Sequence, residues 1–434
     1  MLLLCSASMY FYWSHVPQNI DGIAPSAAMR PRPLTDLYAQ WFGVRELLLH
    51  HRDPYGDDIT HELQVAYYGK DPEGPEADHP SHQQRFAYPL YVSFLLAPTI
   101  GMQFHTAQTI FLWLLAAVTA ASVPLWAHAM RLKLSPVGVA VMLLLVFTSI
   151  PVMQGLEILQ LGLLVAGLLA AATAATVSGH LFLAGMLLAV ATIKPQMSVL
   201  AIAWFALWVS GDWRRRRLLF WGFAATLSAL IIASELLLPG WVTRFLASVL
   251  EYGKHMHSTS LLEIYLPAAL SWSLALLVFL CVANSAWCAR RQPADSFPFA
   301  LSLAFALSLT LLIVPSVFQP FNQVLLLPAI ALTIRYWREL RHGTPSLRFL
   351  TLVVCSVGLL PWLSAVAVTL GLLMVQMRWL LKIWFFPLNA SLAFPFAVFG
   401  ILILLGKVVS IESPAPTAGP GGLRATGATS EGRP

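Results

Sequence analysis

Eleven of the chain's 20 carboxylates fall within one 70-residue stretch, residues 17 to 86, of an otherwise apolar sequence. Within it, Asp36 stands between Thr35 and Leu37-Tyr38. A carboxylate held there suits general-base chemistry, taking the proton of a hydroxyl as its oxygen attacks another centre. The plainer alternative is that Thr35 caps a helix while Asp36 complements its dipole. Arg85, Lys194, His255 and His257 are the cationic or hydrogen-bonding groups suited to holding an anion, with Tyr55 and Glu157 as further candidates for lining a cavity. Arg244 and Lys254 read more simply as interface anchors. Asp53, Asp57 and Asp58 read as turn caps or solvated groups, and His79 and His82 form an HxxH pair without a nearby third ligand, so no metal site is expected.

Two of these charges stand in apolar surroundings. Lys194 follows Ala191-Thr192-Ile193 and precedes Pro195-Gln196, where an ammonium is costly unless it meets a partner or water. Glu157 opens a nearby apolar run, and an ion pair between the two is one way to accommodate both. Cys5, Cys281, Cys288 and Cys355 lie in or beside apolar segments without metal-ligand spacing, which argues against disulfides.

The elements that must position these groups follow from composition. With 58% hydrophobic residues, 11% charged residues and a mean hydropathy of +0.71, the chain is no soluble globular domain. It reads as an all-α integral membrane protein, a polytopic helical bundle. Apolar stretches at 104–129, 136–153, 156–177, 218–238, 264–288, 297–318, 321–337, 349–375 and 383–406 are long enough to span, and shorter runs lie at 1–16, 86–101, 180–193 and 197–211. The total is about 11 to 13 passes. Residues 1–410 read as one membrane module and 411–434, rich in Ala, Gly, Pro, Ser and Thr, as a disordered cytoplasmic tail.

Arginine placement orients the bundle. Arg214 to Arg217, the pair Arg290 and Arg291, and the group Arg335, Arg338, Arg341 and Arg348 mark cytoplasmic loops. The acidic stretch 17–86 is then the first extracytoplasmic loop, and 239–263, with Trp241, Tyr252, His255 and His257, the second. A cleaved signal peptide at residues 1–16 is disfavoured by the lack of a basic start. Six apolar runs separate the first external loop from Arg214, whereas an outside-to-inside connection needs an odd number of crossings. At least one run therefore does not span, and the short pair 180–193 and 197–211, broken at Lys194-Pro195, is the first suspect. The net charge of +6 reflects the basic loops facing anionic lipid and implies no nucleic-acid partner. After Asp36, the apolar residues Leu37, Trp41, Val44 and Leu48 recur at helical spacing opposite Gln40 and Arg45, which predicts an amphipathic helix lying across the ends of the bundle.

The succession of motifs resembles glycosyltransferase family 87 of the GT-C superfamily. It comprises Asp36-Leu-Tyr, a helix ending Leu47-Leu48-Leu49, Asp53-Pro54-Tyr55, and Tyr88-Pro89 opening a run that ends at Pro98. Pro151 with Gln154-Gly155-Leu156-Glu157, and Ala184-Gly185 through Ile193-Lys194-Pro195, are similar to two further family segments, except that Leu156 stands where glutamine is usual. The resemblance covers residues 34 to about 215 in order.

It implies a cell-envelope membrane enzyme that moves a hexose, usually mannose, from a polyprenyl-phosphate sugar to a lipid, glycan or protein acceptor outside the cytoplasm. An acidic residue of the first external loop serves as base, and Asp36 is the matching position. No cofactor is implied beyond the lipid-linked donor, and no metal. A secondary transporter and a non-catalytic lipid-carrier scaffold are the rivals. The lack of an internal repeat and the long external loop count against a carrier.

Overall fold

The computed structural model describes residues 2–21, 34–68, 84–255, 259–374 and 386–412. Every regular element among them is helical. In chain order they are α1 (Leu2–Asp21), α2 (Leu37–His50), α3 (Asp57–Tyr68), α4 (Val92–Leu96) running into a 3-10 turn, α5 (Phe104–Ala129), α6 (Pro136–Phe147), α7 (Ile150–Glu157), α8 (Gly162–Val177), α9 (Leu181–Ala191) and α10 (Pro195–Gly211). There follow α11 (Trp213–Leu237), α12 (Trp241–His255), α13 (Leu261–Tyr265), α14 (Ala268–Ala289), α15 (Phe297–Ile313), a 3-10 helix at Pro320–Leu326, α16 (Leu327–Arg335), α17 (Trp337–His342), α18 (Pro345–Met374), α19 (Phe386–Ser391) and α20 (Phe394–Glu412).

Five helical stretches are long and apolar enough to cross a membrane: α5, α11, α14, α18 and the stretch Phe386–Val409. The pair α6 and α7, bent by 61° at Thr148-Ser149, makes a sixth if counted as one span. Shorter apolar helices, α8, α9, α10, α15 and the stretch Pro320–Arg335, pack among them. The run expected at 321–337 is thus not one α-helix but a 3-10 turn continued by α16, because Pro320 and Pro328 each remove a backbone donor and start a new segment. The break expected near residue 154 falls instead at 158–161, where Leu159 takes a positive φ of 53°. The tail 413–434 and the pair His79 and His82 lie outside the described residues.

Side-chain bonds define the two ends of the bundle. At one end the arginine loops converge. Arg216 donates to the carbonyls of Trp208 (2.6 Å), Arg290 (2.5 Å) and Gln292 (2.9 Å), its guanidinium lying 3.9 Å from the Trp208 ring centre. Arg335 donates to the Met130 carbonyl (2.7 Å), and Arg131 pairs with Asp295 (3.5 Å). At the other end, Asp36, Tyr91, Thr192, Lys194 and Asn322 meet. Between Asp36 and Arg214, α5, α6 with α7, α8, α9 and α10 run alternately between the two ends, and of these α5 and the bent pair are long enough to span. The run 86–101 has only five α-helical residues in α4, and the suspected pair around Lys194, α9 and α10, is likewise shorter than a full span.

α9 and α11 pack backbone to backbone. A Cβ on Gly185 would collide with the Leu219 carbonyl, and one on Gly222 with the Phe182 carbonyl. Glycine at both positions is what lets this short helix sit against its longer neighbour. Gly185→Leu should therefore destabilise the bundle by about 1–3 kcal/mol or more through overpacking, whereas Gly101→Ala, whose Cβ would meet nothing within 4 Å, should be neutral. Thermal unfolding of the two variants in detergent checks this, and equal melting temperatures would refute the close packing.

Candidate functional site

The site begins with how α2 is launched. Asp36 occupies the N-cap position, yet its side chain makes no capping hydrogen bond. Thr35 does not cap either: its carbonyl accepts from Tyr67 Oη (2.7 Å) and its hydroxyl from Gln108 Nε2 (3.4 Å). The Asp36 backbone N–H donates to the Ile158 carbonyl (3.0 Å), which pins the loop 34–68 to the break between α7 and α8. The half-buried carboxylate is thereby turned inward, where its Oδ2 accepts from Gln160 Nε2 at 2.7 Å. The plainer reading of this residue as a helix-dipole complement does not account for that direction.

Gln160 links two charges. Its amide oxygen accepts from Lys194 Nζ at 3.0 Å and from Tyr88 Oη at 3.2 Å. An ammonium only donates and a carboxylate only accepts, so the amide can serve both only with its NH2 toward Asp36 and its oxygen toward Lys194. Lys194, 6% exposed, also reaches Asn322 Oδ1 (3.4 Å) and lies 5.1 Å from the centre of the Phe321 ring. Asn322 is held in turn, its Nδ2 donating to the Val317 carbonyl at 3.0 Å. Gly162 leaves room for the group, since a Cβ there would stand 2.8 Å from Asn322 Oδ1 and 3.3 Å from Lys194 Nζ.

The local folding has identifiable causes. Lys194 precedes Pro195, which starts α10 and leaves Lys194 extended at the helix mouth rather than within it. Gln160 follows Leu159, whose left-handed backbone turns the chain from α7 into α8, and the Gln160 N–H closes on the Gly155 carbonyl (2.8 Å). Asn322 lies in the 3-10 helix, packed against α7.

The other candidates are arranged around this core. Tyr55 is buried, its hydroxyl donates to the Tyr88 carbonyl (2.8 Å), and its ring packs edge-on to Phe86, so it fixes the segment that carries Tyr88. Arg85 is half-buried three residues before Tyr88, and among the described residues its Nε has no hydrogen-bond partner. Glu157 does not pair with Lys194. It is exposed and accepts from Trp13 Nε1 (2.8 Å), because the turn at 158–160 sends Gln160 rather than Glu157 toward the lysine. The His255 side chain and all of His257 lie outside the described residues.

Asp53 accepts from the Tyr55 N–H (3.0 Å) and pairs with Arg244 (2.5 Å), so this arginine joins α12 to the first external loop rather than serving as a lipid anchor. Ser248 on α12 donates to the Phe86 carbonyl (2.9 Å), a second tie between the two loops. Arg52 gathers Glu46 (3.0 Å), Asp58 (2.9 Å) and Glu62 (2.5 Å), which closes α3 onto α2. Gln160 is the central residue that motif reading passed over. Its only sequence signal is an amide between Leu159 and Leu161, four residues after the position where the family's glutamine is missing.

Burial raises the Asp36 pKa above the ordinary carboxylate value, and the Lys194 charge partly offsets the rise. A carboxyl so placed is a stronger base than a solvated one, which suits proton abstraction beside a cation that can hold an anion.

A helical bundle with an inward carboxylate and a buried cation at one mouth defines the class of a polytopic membrane protein with a charged site at the end of its helices. The family model for glycosyltransferase family 87 matches residues 86–315, more than half of the chain, and the chain belongs to that family. The matched region holds Tyr88, Gln160 and Lys194, while Asp36 and Asn322 lie outside it. No curated protein and no solved structure matches the chain.

The pKa shift has a definite sign. With the folded value above the unfolded one, the contribution of Asp36 to stability is fully present below the unfolded pKa and is lost as pH rises through the folded value. Modification by an apolar carbodiimide, which attacks protonated carboxyls, should follow a midpoint above that of free aspartate, and Lys194→Met should move it higher. A midpoint at or below the free value, or no response to Lys194→Met, would contradict the coupling.

Proposed function

We propose that this membrane glycosyltransferase is of the GT-C type and transfers a hexose, mannose in the first instance, from a polyprenyl-phosphate carrier to an extracytoplasmic lipid, glycan or protein hydroxyl. Asp36 is the general base. As the acceptor oxygen bonds to the anomeric carbon, its proton passes to the Asp36 carboxylate. The bond from that carbon to the phosphate oxygen breaks, and the electron pair leaves with the polyprenyl phosphate.

The observation that supports this reading is the Asp36–Gln160–Lys194 relay, a carboxylate and an ammonium held apart by one amide. Among the described residues, the Lys194 ammonium meets neutral oxygens and a ring face, with no carboxylate within 4 Å. Its charge therefore remains available to attract a donor phosphate. Arg85 belongs to the proposal as a second phosphate contact because its buried Nε is unpartnered close to Tyr88. Tyr55 acts by positioning. His255 and His257 stay as candidate contacts from the second external loop. Extracytoplasmic placement rests on the convergence of the arginine loops at the opposite end of the bundle.

The test is transfer of radiolabelled sugar from polyprenyl phosphate to membrane-lipid acceptors by purified protein. Asp36→Asn should lower kcat by about 10²–10⁴-fold with its melting temperature retained. Lys194→Met should weaken donor use, and Glu157→Gln should behave as wild type. Transfer by Asp36→Asn at the normal rate would remove the base assignment, and a wild type active only with nucleotide sugars would remove the donor.

A further inference from the structure

A cavity of about 430 Å³ lies on the far side of the 3-10 helix from the Asp36 relay, enclosed by α1, α6, α7, α16, α18 and α20. Its walls are almost wholly apolar, with Ile150, Leu327, Ile330, Leu359 and Trp362 prominent among them. Asp36, Gln160 and Lys194 do not line it. Trp337 lines it at the arginine end, and the same ring lines a second hollow of about 480 Å³ formed with Arg338, Arg341, His342 and Arg348.

The two spaces thus share Trp337 in their linings, one greasy and one cationic. Helical spacing agrees, because Arg348, Cys355 and Trp362 recur every seven residues on one stripe of α18. That stripe runs about 21 Å from the basic hollow along the apolar wall. Arg338 and Arg341 are exposed, and Glu339, the carboxylate of that segment, forms no ion pair with them. Arg348 is set by its Nε donating to the Gly343 carbonyl (2.8 Å).

We propose that this composite site binds one anionic phospholipid of the cytoplasmic leaflet, its headgroup phosphate among Arg338, Arg341 and Arg348 and one acyl chain in the apolar cavity. Charge complementarity selects the headgroup, and the continuity past Trp337 places the chain. A donor lipid would need its phosphate at the opposite end, beside Lys194. The assignment does not depend on the proposed reaction, only on the arginine end facing the cytoplasm.

The experiment uses the full chain purified in mild detergent, with phosphatidylglycerol and phosphatidylcholine of the same chains as probes. Native mass spectrometry should show one retained phosphatidylglycerol per chain, favoured over phosphatidylcholine by about tenfold or more. The double variant Arg338→Gln with Arg341→Gln should lose that preference. Gly358→Leu should lose binding altogether, because Gly358 lines the cavity and a Cβ there meets its neighbours only at ordinary contact distance.

Cys355, which lines the cavity, gives a readout in the unmutated protein. Phosphatidylglycerol should slow its labelling by an apolar maleimide, whereas the exposed Cys281 and Cys288 should label unchanged. Equal retention of both lipids, or loss with the charge variant but not with Gly358→Leu, would overturn the composite site. Shielding of Cys355 by polyprenyl phosphate and not by phosphatidylglycerol would also overturn it and give the cavity to the donor. Sugar transfer that fails while phosphatidylglycerol still binds would bear on the enzymatic reading alone.

Discussion

The structure depends on how one buried ammonium is accommodated. Lys194 sits at the mouth of α10 with 6% of its surface exposed, where an unsatisfied charge would cost several kcal/mol. No adjacent carboxylate neutralises it. Gln160 and Asn322 supply dipoles instead, Phe321 supplies a ring face, and Asp36 acts from one residue further away through Gln160. These groups come from three different segments, so satisfying the lysine fixes the turn at 158–161, the 3-10 helix at 320–326 and the start of α2 relative to one another. A direct ion pair would have satisfied the charge more simply, but it would also have cancelled the field that an anionic substrate needs.

The loop 34–68 is held to this mouth by bonds that leave the catalytic candidate unencumbered. Backbone N–H and carbonyl groups of Thr35 and Asp36 make the ties, to Ile158 and Tyr67. Of the remaining acids of the loop, Glu46, Asp58 and Glu62 are held around Arg52 and Asp53 by Arg244, while Asp57 is exposed in the first turn of α3. That division explains why so acidic a segment presents one inward carboxylate. The four paired acids serve as the ionic fastening of α2, α3 and α12.

The bundle is electrically polar from end to end. Arginines 131, 216 and 335 cap carbonyls or pair at one end, and the Asp36 relay occupies the other. The same polarity puts the short run 86–101 at the mouth and turns α9 and α10 in opposite directions between the two ends. Their lengths of 11 and 17 residues keep both below that of a full span.

By itself the sequence determined the all-helical membrane class and the family, and it singled out Asp36 and Lys194, which the fold brings to one mouth of the bundle. It could do so because hydropathy, charge bias and motif order are properties of segments, readable one at a time. Tertiary structure alone decided that the Asp36 carboxylate points inward rather than capping α2, that Gln160 stands between it and Lys194, that Asn322 arrives from a segment 128 residues beyond Lys194, and that Glu157 turns away to Trp13. Those outcomes depend on which ends of which helices meet. A glutamine or asparagine carries no charge to betray itself in an apolar run, so its role appears only when the chain brings a donor and an acceptor to its two sides.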